Sequence, residues 1–121
     1  MRKTIFLLLI LVSLFFAGSA GADKGGVVRF ATLPSGPGVP GHPEGLAADA
    51  QGNIYVATFE FGIPNVIYVF APNGQLTKTI PLTGAVPLGL AFDASGNLYV
   101  ANFGGGTVIK FSPPFTSSSS P

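Results

Sequence analysis

An all-β fold made of repeated four-stranded antiparallel units, the β-propeller arrangement, is what three features of this sequence predict. A seventeen-residue stretch occurs twice with twelve identities. Gly and Pro are abundant, 17 and 11 of 121 residues, and no stretch after the N-terminal apolar segment has a helical apolar period. Short apolar runs alternate with turn residues, which is how strands joined by tight turns read.

The repeat is the strongest of these signals. Pro43-Glu44-Gly45-Leu46-Ala47-Ala48-Asp49-Ala50-Gln51-Gly52-Asn53-Ile54-Tyr55-Val56-Ala57-Thr58-Phe59 aligns with Pro87-Leu88-Gly89-Leu90-Ala91-Phe92-Asp93-Ala94-Ser95-Gly96-Asn97-Leu98-Tyr99-Val100-Ala101-Asn102-Phe103 at an offset of 44 residues. Further on, Val66-Ile67-Tyr68-Val69-Phe70-Ala71-Pro72 aligns with Thr107-Val108-Ile109-Lys110-Phe111-Ser112-Pro113 at an offset of 41, so the first unit is three residues longer around Glu60 to Pro64. A period of roughly 40 to 45 residues with four short strands per unit is the propeller range.

Each strand has a local reason. Gly45–Ala48 is a short apolar strand and Asn53–Thr58 its hairpin partner. Between them, Asp49-Ala50-Gln51-Gly52 recurs as Asp93-Ala94-Ser95-Gly96. Asp accepts backbone N–H bonds and Gly takes the left-handed conformation, so these four residues are turn residues first, with Asn53 and Asn97 in the same turn chemistry. The third strand is Val66–Phe70, or Thr107–Phe111 in the second unit, and Gly104-Gly105-Gly106 is the turn leading into the latter. The fourth, Leu76–Ile80, follows an Asn73-Gly74 turn signal. Its Thr77 and Thr79 alternate with Leu76, Lys78 and Ile80, as suits a wetter outer strand.

The flanks divide as follows. Residues 1–22 form a signal peptide with an apolar helix: Arg2 and Lys3, an apolar run from Ile5 to Phe16, then the small residues Ala17 to Ala22, with cleavage after Ala22 or Ala20. The apolar run is shorter than the roughly 20 residues a membrane span needs. Secretion or periplasmic export is expected, with no membrane attachment after cleavage. Residues 23–42 are a lead-in strand and a Gly/Pro linker; Val27 to Pro34 reads as the end of a preceding unit, either a third strand ending at Phe30 or an outer strand like Leu76–Ile80. Residues 43–86 are the first blade and 87–111 a second, incomplete one. Residues 112–121 are Ser/Pro-rich and expected to be disordered.

Charge and cysteine content narrow the function. Past residue 22, Lys24, Arg29, Lys78 and Lys110 face Asp23, Glu44, Asp49, Glu60 and Asp93, so the exported part is near neutral and has no basic stripe for nucleic acid. There is no Cys, so packing alone holds the exported chain together. His42 has no second His or Cys at ligand spacing and reads as an exposed loop residue. Tyr55, Tyr99, Phe59, Phe103, Phe70 and Phe111 recur at fixed places in the repeat, which points to packing between blades.

The units Gly-Leu-Ala-Ala-Asp-Ala-Gln-Gly-Asn-Ile-Tyr-Val-Ala (45–57) and Gly-Leu-Ala-Phe-Asp-Ala-Ser-Gly-Asn-Leu-Tyr-Val-Ala (89–101) resemble two related propeller groups. One is the NHL-repeat proteins; the other is the superfamily of senescence marker protein, gluconolactonase and luciferin-regenerating enzyme. The second resemblance implies a divalent metal, often calcium, at the mouth of a central channel, polarising a lactone carbonyl. It implies Glu44, in Pro43-Glu44-Gly45-Leu46, as a metal ligand; a solvated loop carboxylate is the alternative for that residue. The family's Asn ligand falls on Leu88, which cannot ligate, and the later aspartates have no counterpart. The expectation is a non-catalytic exported binding or interaction module for a ligand or protein, with a piece of a metal-dependent lactone hydrolase as the alternative.

Two blades leave two apolar faces uncovered, and a propeller typically closes with four to eight. Three readings meet that requirement or forgo it: a piece of a longer propeller, a homo-oligomer such as three chains completing a six-bladed ring, or a decayed gene. Ring closure favours the first.

Overall fold

The computed structural model describes residues 25–115, and these are all-β: seven strands in two antiparallel sheets. The first sheet has four strands in sequential order, β1 (His42–Ala48), β2 (Ile54–Phe59), β3 (Asn65–Phe70) and β4 (Leu76–Leu82). The second has three, β5 (Pro87–Phe92), β6 (Leu98–Asn102) and β7 (Thr107–Phe111). The expected export signal, with its helix and cleavage site, falls outside the described residues.

The duplicated sequence produces duplicated geometry. In the first hairpin Leu46 pairs with Val56 and Ala48 with Ile54; in the second Leu90 pairs with Val100 and Phe92 with Leu98. Register shifts at the same place in both, between Pro43 and Gly45 and between Pro87 and Gly89. The intervening turns are alike atom for atom. Asp49 Oδ1 accepts the N–H groups of Gln51 (3.0 Å) and Asn53 (2.9 Å), and Asn53 donates its side-chain amide to Asp49 Oδ2 at 2.8 Å. Asp93 accepts from Ser95, Asn97 and the Asn97 amide at 2.9, 2.9 and 2.8 Å. Gly52 and Gly96 close these turns at φ +83° and +80°, where a Cβ is disfavoured.

Strand boundaries differ from expectation where pairing extends the ladder. β1 begins at His42, because residues 42 and 43 pair with Phe59 and Thr58 ahead of the bulge. His42 is therefore a strand residue, though exposed, and not a loop residue. β4 runs on to Leu82, opposite Asn65. The Asn73-Gly74 turn is not the two-residue type, which needs positive φ at Asn: only Gly74 is left-handed (φ +84°), and its N–H bonds to Ala71 O. The lead-in is a larger correction. Residues 27–34 form no strand; Ala31 and Leu33 instead lie against the outer face of the first sheet, with Ile54, Val56, Val66, Tyr68 and Phe70.

The main core lies between the sheets. Alternation sends Tyr55, Ala57, Ile67, Val69, Ile80 and Leu82 from one side to meet Leu98, Val100, Phe111, Leu90, Phe92 and Ile109 from the other. The sheets approach closely at Gly45, where a Cβ would stand 2.6 Å from Leu88 O. The connector between the sheets is tied down by the buried Asn65, which donates to Ala85 O at 2.7 Å and accepts from Glu60 N at 3.0 Å. Asn102 does similar work from the second sheet, accepting from Val86 N at 2.9 Å.

The tail also departs from expectation over the part described. Phe115 is buried, set edge-on to Tyr55 (centroids 5.9 Å) and tilted against Phe92 (6.2 Å), and its carbonyl accepts from Lys78 Nζ at 2.7 Å. Three clustered rings gain both burial and edge-to-face contact, which holds the start of the Ser/Pro segment in the core. Residues 116–121 lie outside the described residues.

Candidate functional site

Antiparallel pairing gives the two sheets two ends. At one end lie the Asp49 and Asp93 turns; at the other lie the starts of β1 and β5 and the loops 60–64 and 103–106.

The Asp-turn end holds a cleft of about 500 Å³ between the sheets, with Tyr55, Phe92 and Phe115 against Asp49, Asp93 and Lys78. Its polar groups are already engaged. The Asp93 carboxyl is held below the usual carboxylate range, first by the Asn97 side chain and then by backbone N–H groups and Tyr99, which donates to it at 3.1 Å. A carboxylate stabilised in this way is a poor proton acceptor. Burial, with the Asp49 charge beside it, pushes the Tyr55 phenol up, so it stays neutral. Lys78 is held by the Phe115 carbonyl. These groups organise turns and tail and leave no poised acid–base pair.

The opposite end carries the residue that the sequence singled out. Glu44 is exposed in β1, at the bulge between Pro43 and Gly45. Its counterpart in the second sheet is Leu88, also exposed. Nearby, His42 Nδ1 stands 3.5 Å from a Glu60 carboxylate oxygen, an ion pair only when the imidazole is protonated. Among the described residues no three His, Cys, Asp or Glu side chains converge as metal ligands would. Calcium takes six to eight oxygens. Glu44 has Leu88 at the corresponding position and Glu60 stands beside His42, so these side chains by themselves fall short of the oxygens that ion takes.

Exposed apolar side chains dominate this end. Phe61 is 87 % exposed and stacks edge-on with Phe59 at 4.8 Å; Phe103 is 73 % exposed. The expectation that repeated aromatics pack between sheets therefore holds for Tyr55 and Phe111, but not for Phe70, which is buried against the lead-in on the outer face of the first sheet, nor for the exposed Phe103. Tyr99 also departs from it: this half-buried ring lies on the outer face of the second sheet, under Lys110 Nζ at 5.7 Å. Sequence reasoning did not single out Asn65, although an Asn opening a strand after a Gly/Pro loop was a usable signal.

No family model matches the chain, and no curated protein matches it either.

Proposed function

We infer that the chain is an exported β-propeller repeat protein, similar to the NHL and gluconolactonase-like groups, that acts as a non-catalytic binding or interaction module. The observation that carries this reading is the pair of exposed aromatics, Phe61 and Phe103, on two corresponding loops at one end of the stacked sheets. Large apolar side chains grouped at one rim are costly to leave in water and mark contact surfaces. The three extra residues of the first unit fall in the Phe61 loop, so the duplicated scaffold varies where contact is made. Export follows from the order of cationic, apolar and small segments in residues 1–22.

A calcium and lactone experiment tests this reading. Melting temperature with and without calcium at about 1 mM, where extracellular calcium modules bind, should be the same for the wild type and for Glu44→Gln. Hydrolysis of simple aldonolactones should stay at the background rate. A calcium-dependent rise in melting temperature that Glu44→Gln removes would replace this reading with a metal-dependent lactone hydrolase.

A further inference from the structure

The packing inside the chain is heterologous: the Tyr55 face of the first sheet meets the Leu98 face of the second. The repeat makes each sheet a carrier of both faces. Ile54 and Val56 correspond to Leu98 and Val100 at the offset of 44; Tyr68 and Phe70 correspond to Ile109 and Phe111 at the offset of 41. Likewise Tyr99, Ala101 and Val108 correspond to Tyr55, Ala57 and Ile67. The face that Tyr99, Ala101 and Val108 form has nothing packed on it among the described residues, and Val108 is 70 % exposed where Ile67 is fully buried.

The lead-in shows what that face fits. Ala31 and Leu33 share a cluster with Ile54, Val56, Tyr68 and Phe70; Ile80 and Leu82 of β4 share one with the corresponding Leu98, Val100, Ile109 and Phe111. Thr32-Leu33-Pro34 also repeats Thr79-Ile80-Pro81 in kind. The lead-in thus lies on the first sheet as β4 lies on the second, in the place of a fourth strand, with no partner strand beside it among the described residues. The second sheet has the converse defect: three strands, and a β7 edge that the chain leaves when it turns inward to bury Phe115. Beside the lead-in, a hollow of about 220 Å³ lined by Leu46, Ile54, Val56 and Phe70 remains open, and Leu46 is 65 % exposed where its counterpart Leu90 is half-buried.

We propose that the chain associates head to tail with a second copy of itself, the β7 edge and Tyr99 face of one copy docking on the lead-in and Leu46–Val56 face of the next, so that the lead-in completes a four-stranded sheet between chains. Register follows from β3 and β4, where Ile67 pairs with Ile80 and Val69 with Lys78. By correspondence Val108 pairs with Leu33 of the neighbour and Lys110 with Ala31. Gly89 supplies a probe. Gly45 admits no Cβ, because Leu88 O would be 2.6 Å away; Gly89, its counterpart, would meet only Ala101 Cβ at 3.8 Å within its own chain. In the association the Glu44 main chain of the neighbour comes to that place. A heterologous contact closes into a ring or runs on as a filament, and two to four chains bring the sheet number to the roughly four to eight of closed propellers.

The test is particle mass by light scattering on the full chain, with crosslinking beside it. Wild type should run as a discrete assembly of two to four chains. Gly89→Val should bring it to a single chain with unchanged β circular dichroism, and Val108→Asp, at an exposed position, should do the same if Gly89→Val fails to fold. The chain has no Cys, so Leu33→Cys and Val108→Cys chains can be mixed with a short bismaleimide; mixed crosslinks should exceed those within either variant alone. A soluble wild-type monomer with a cooperative melt, an assembly or aggregate that both Gly89→Val and Val108→Asp leave intact, or crosslinking confined to like chains would each overturn the proposal. The association uses the repeat packing on which the propeller reading also rests, but a monomer would overturn the association alone, since the calcium and lactone outcomes do not depend on mass.

Discussion

Among the described residues the first sheet, His42–Leu82, has four strands and cover on both faces, and the second, Pro87–Phe111, has three strands and cover on one. Their first hairpins are nearly the same sequence, with the same bulge and the same Asp turn. What separates them is the company each keeps. Identical local structure therefore carries unequal energy: a position buried at the junction in one sheet stands in water in the other. The difference teaches that stability in this chain resides in the contact between units more than in the units, as expected of a repeat architecture.

Paired substitutions at corresponding positions sharpen this comparison, best made at concentrations where the chain is monomeric. The largest effect is expected from Gly45→Val, whose side chain would run into the Leu88 carbonyl. It should cost at least about 3 kcal/mol in denaturant unfolding, as overpacking against main chain does. Gly89→Val should cost almost nothing. Next is Ile67→Ala, removing a fully buried side chain from the junction, with an expected loss of about 2–5 kcal/mol. Val108→Ala, its counterpart, should stay within about 0.5 kcal/mol. If the two losses were equal, the difference in burial would not be what distinguishes the sheets.

Polar anchors give a smaller contrast. Asn65→Ala leaves the buried Ala85 carbonyl and the Glu60 N–H without their partner, and should cost about 1–3 kcal/mol. Asn102→Ala, at a half-buried site, should cost about 1 kcal/mol. Smallest is the acid response of the Asp93 turn. Its hydrogen bonds hold the carboxyl below its ordinary value, so the folded state binds that proton less readily than the unfolded chain. The resulting stability is present above the ordinary carboxylate range and is lost as pH falls through the lowered value. Melting curves from neutral to acid pH should fall in that window, and less steeply for Asp93→Asn.

The hairpins, the turns and the seven strands were legible in the sequence because each depends on neighbours a few residues away. Asp49 and Gly52 need only each other and Asn53 to make their turn, and period-two alternation places Ile67 and Val69 on one face. The lead-in was less legible. Val27 to Leu33 has strand composition, yet among the described residues it pairs with no strand, and Ala31 and Leu33 settle by apolar contact on the first sheet. Phe115 escaped for a related reason: a lone Phe among Ser and Pro reads as tail until two rings from separate sheets, Tyr55 and Phe92, create a place for it. At the candidate site, Glu44 could be singled out by its motif, but Phe103 read as a packing residue, because sequence cannot tell a repeated aromatic inside a junction from one outside it, and Phe61, in the extra loop of the first unit, has no aromatic counterpart to draw attention to it.

By itself, then, the sequence determined the class of fold, the unit and its turns, since these follow from local hydrogen bonding, backbone preference and alternation. Only the tertiary structure decided which face of each sheet is buried, where the lead-in and Phe115 come to rest, and which aromatics meet solvent. Those outcomes depend on surfaces distant in the sequence being brought together, where burying apolar area selects among arrangements that local propensity leaves equal.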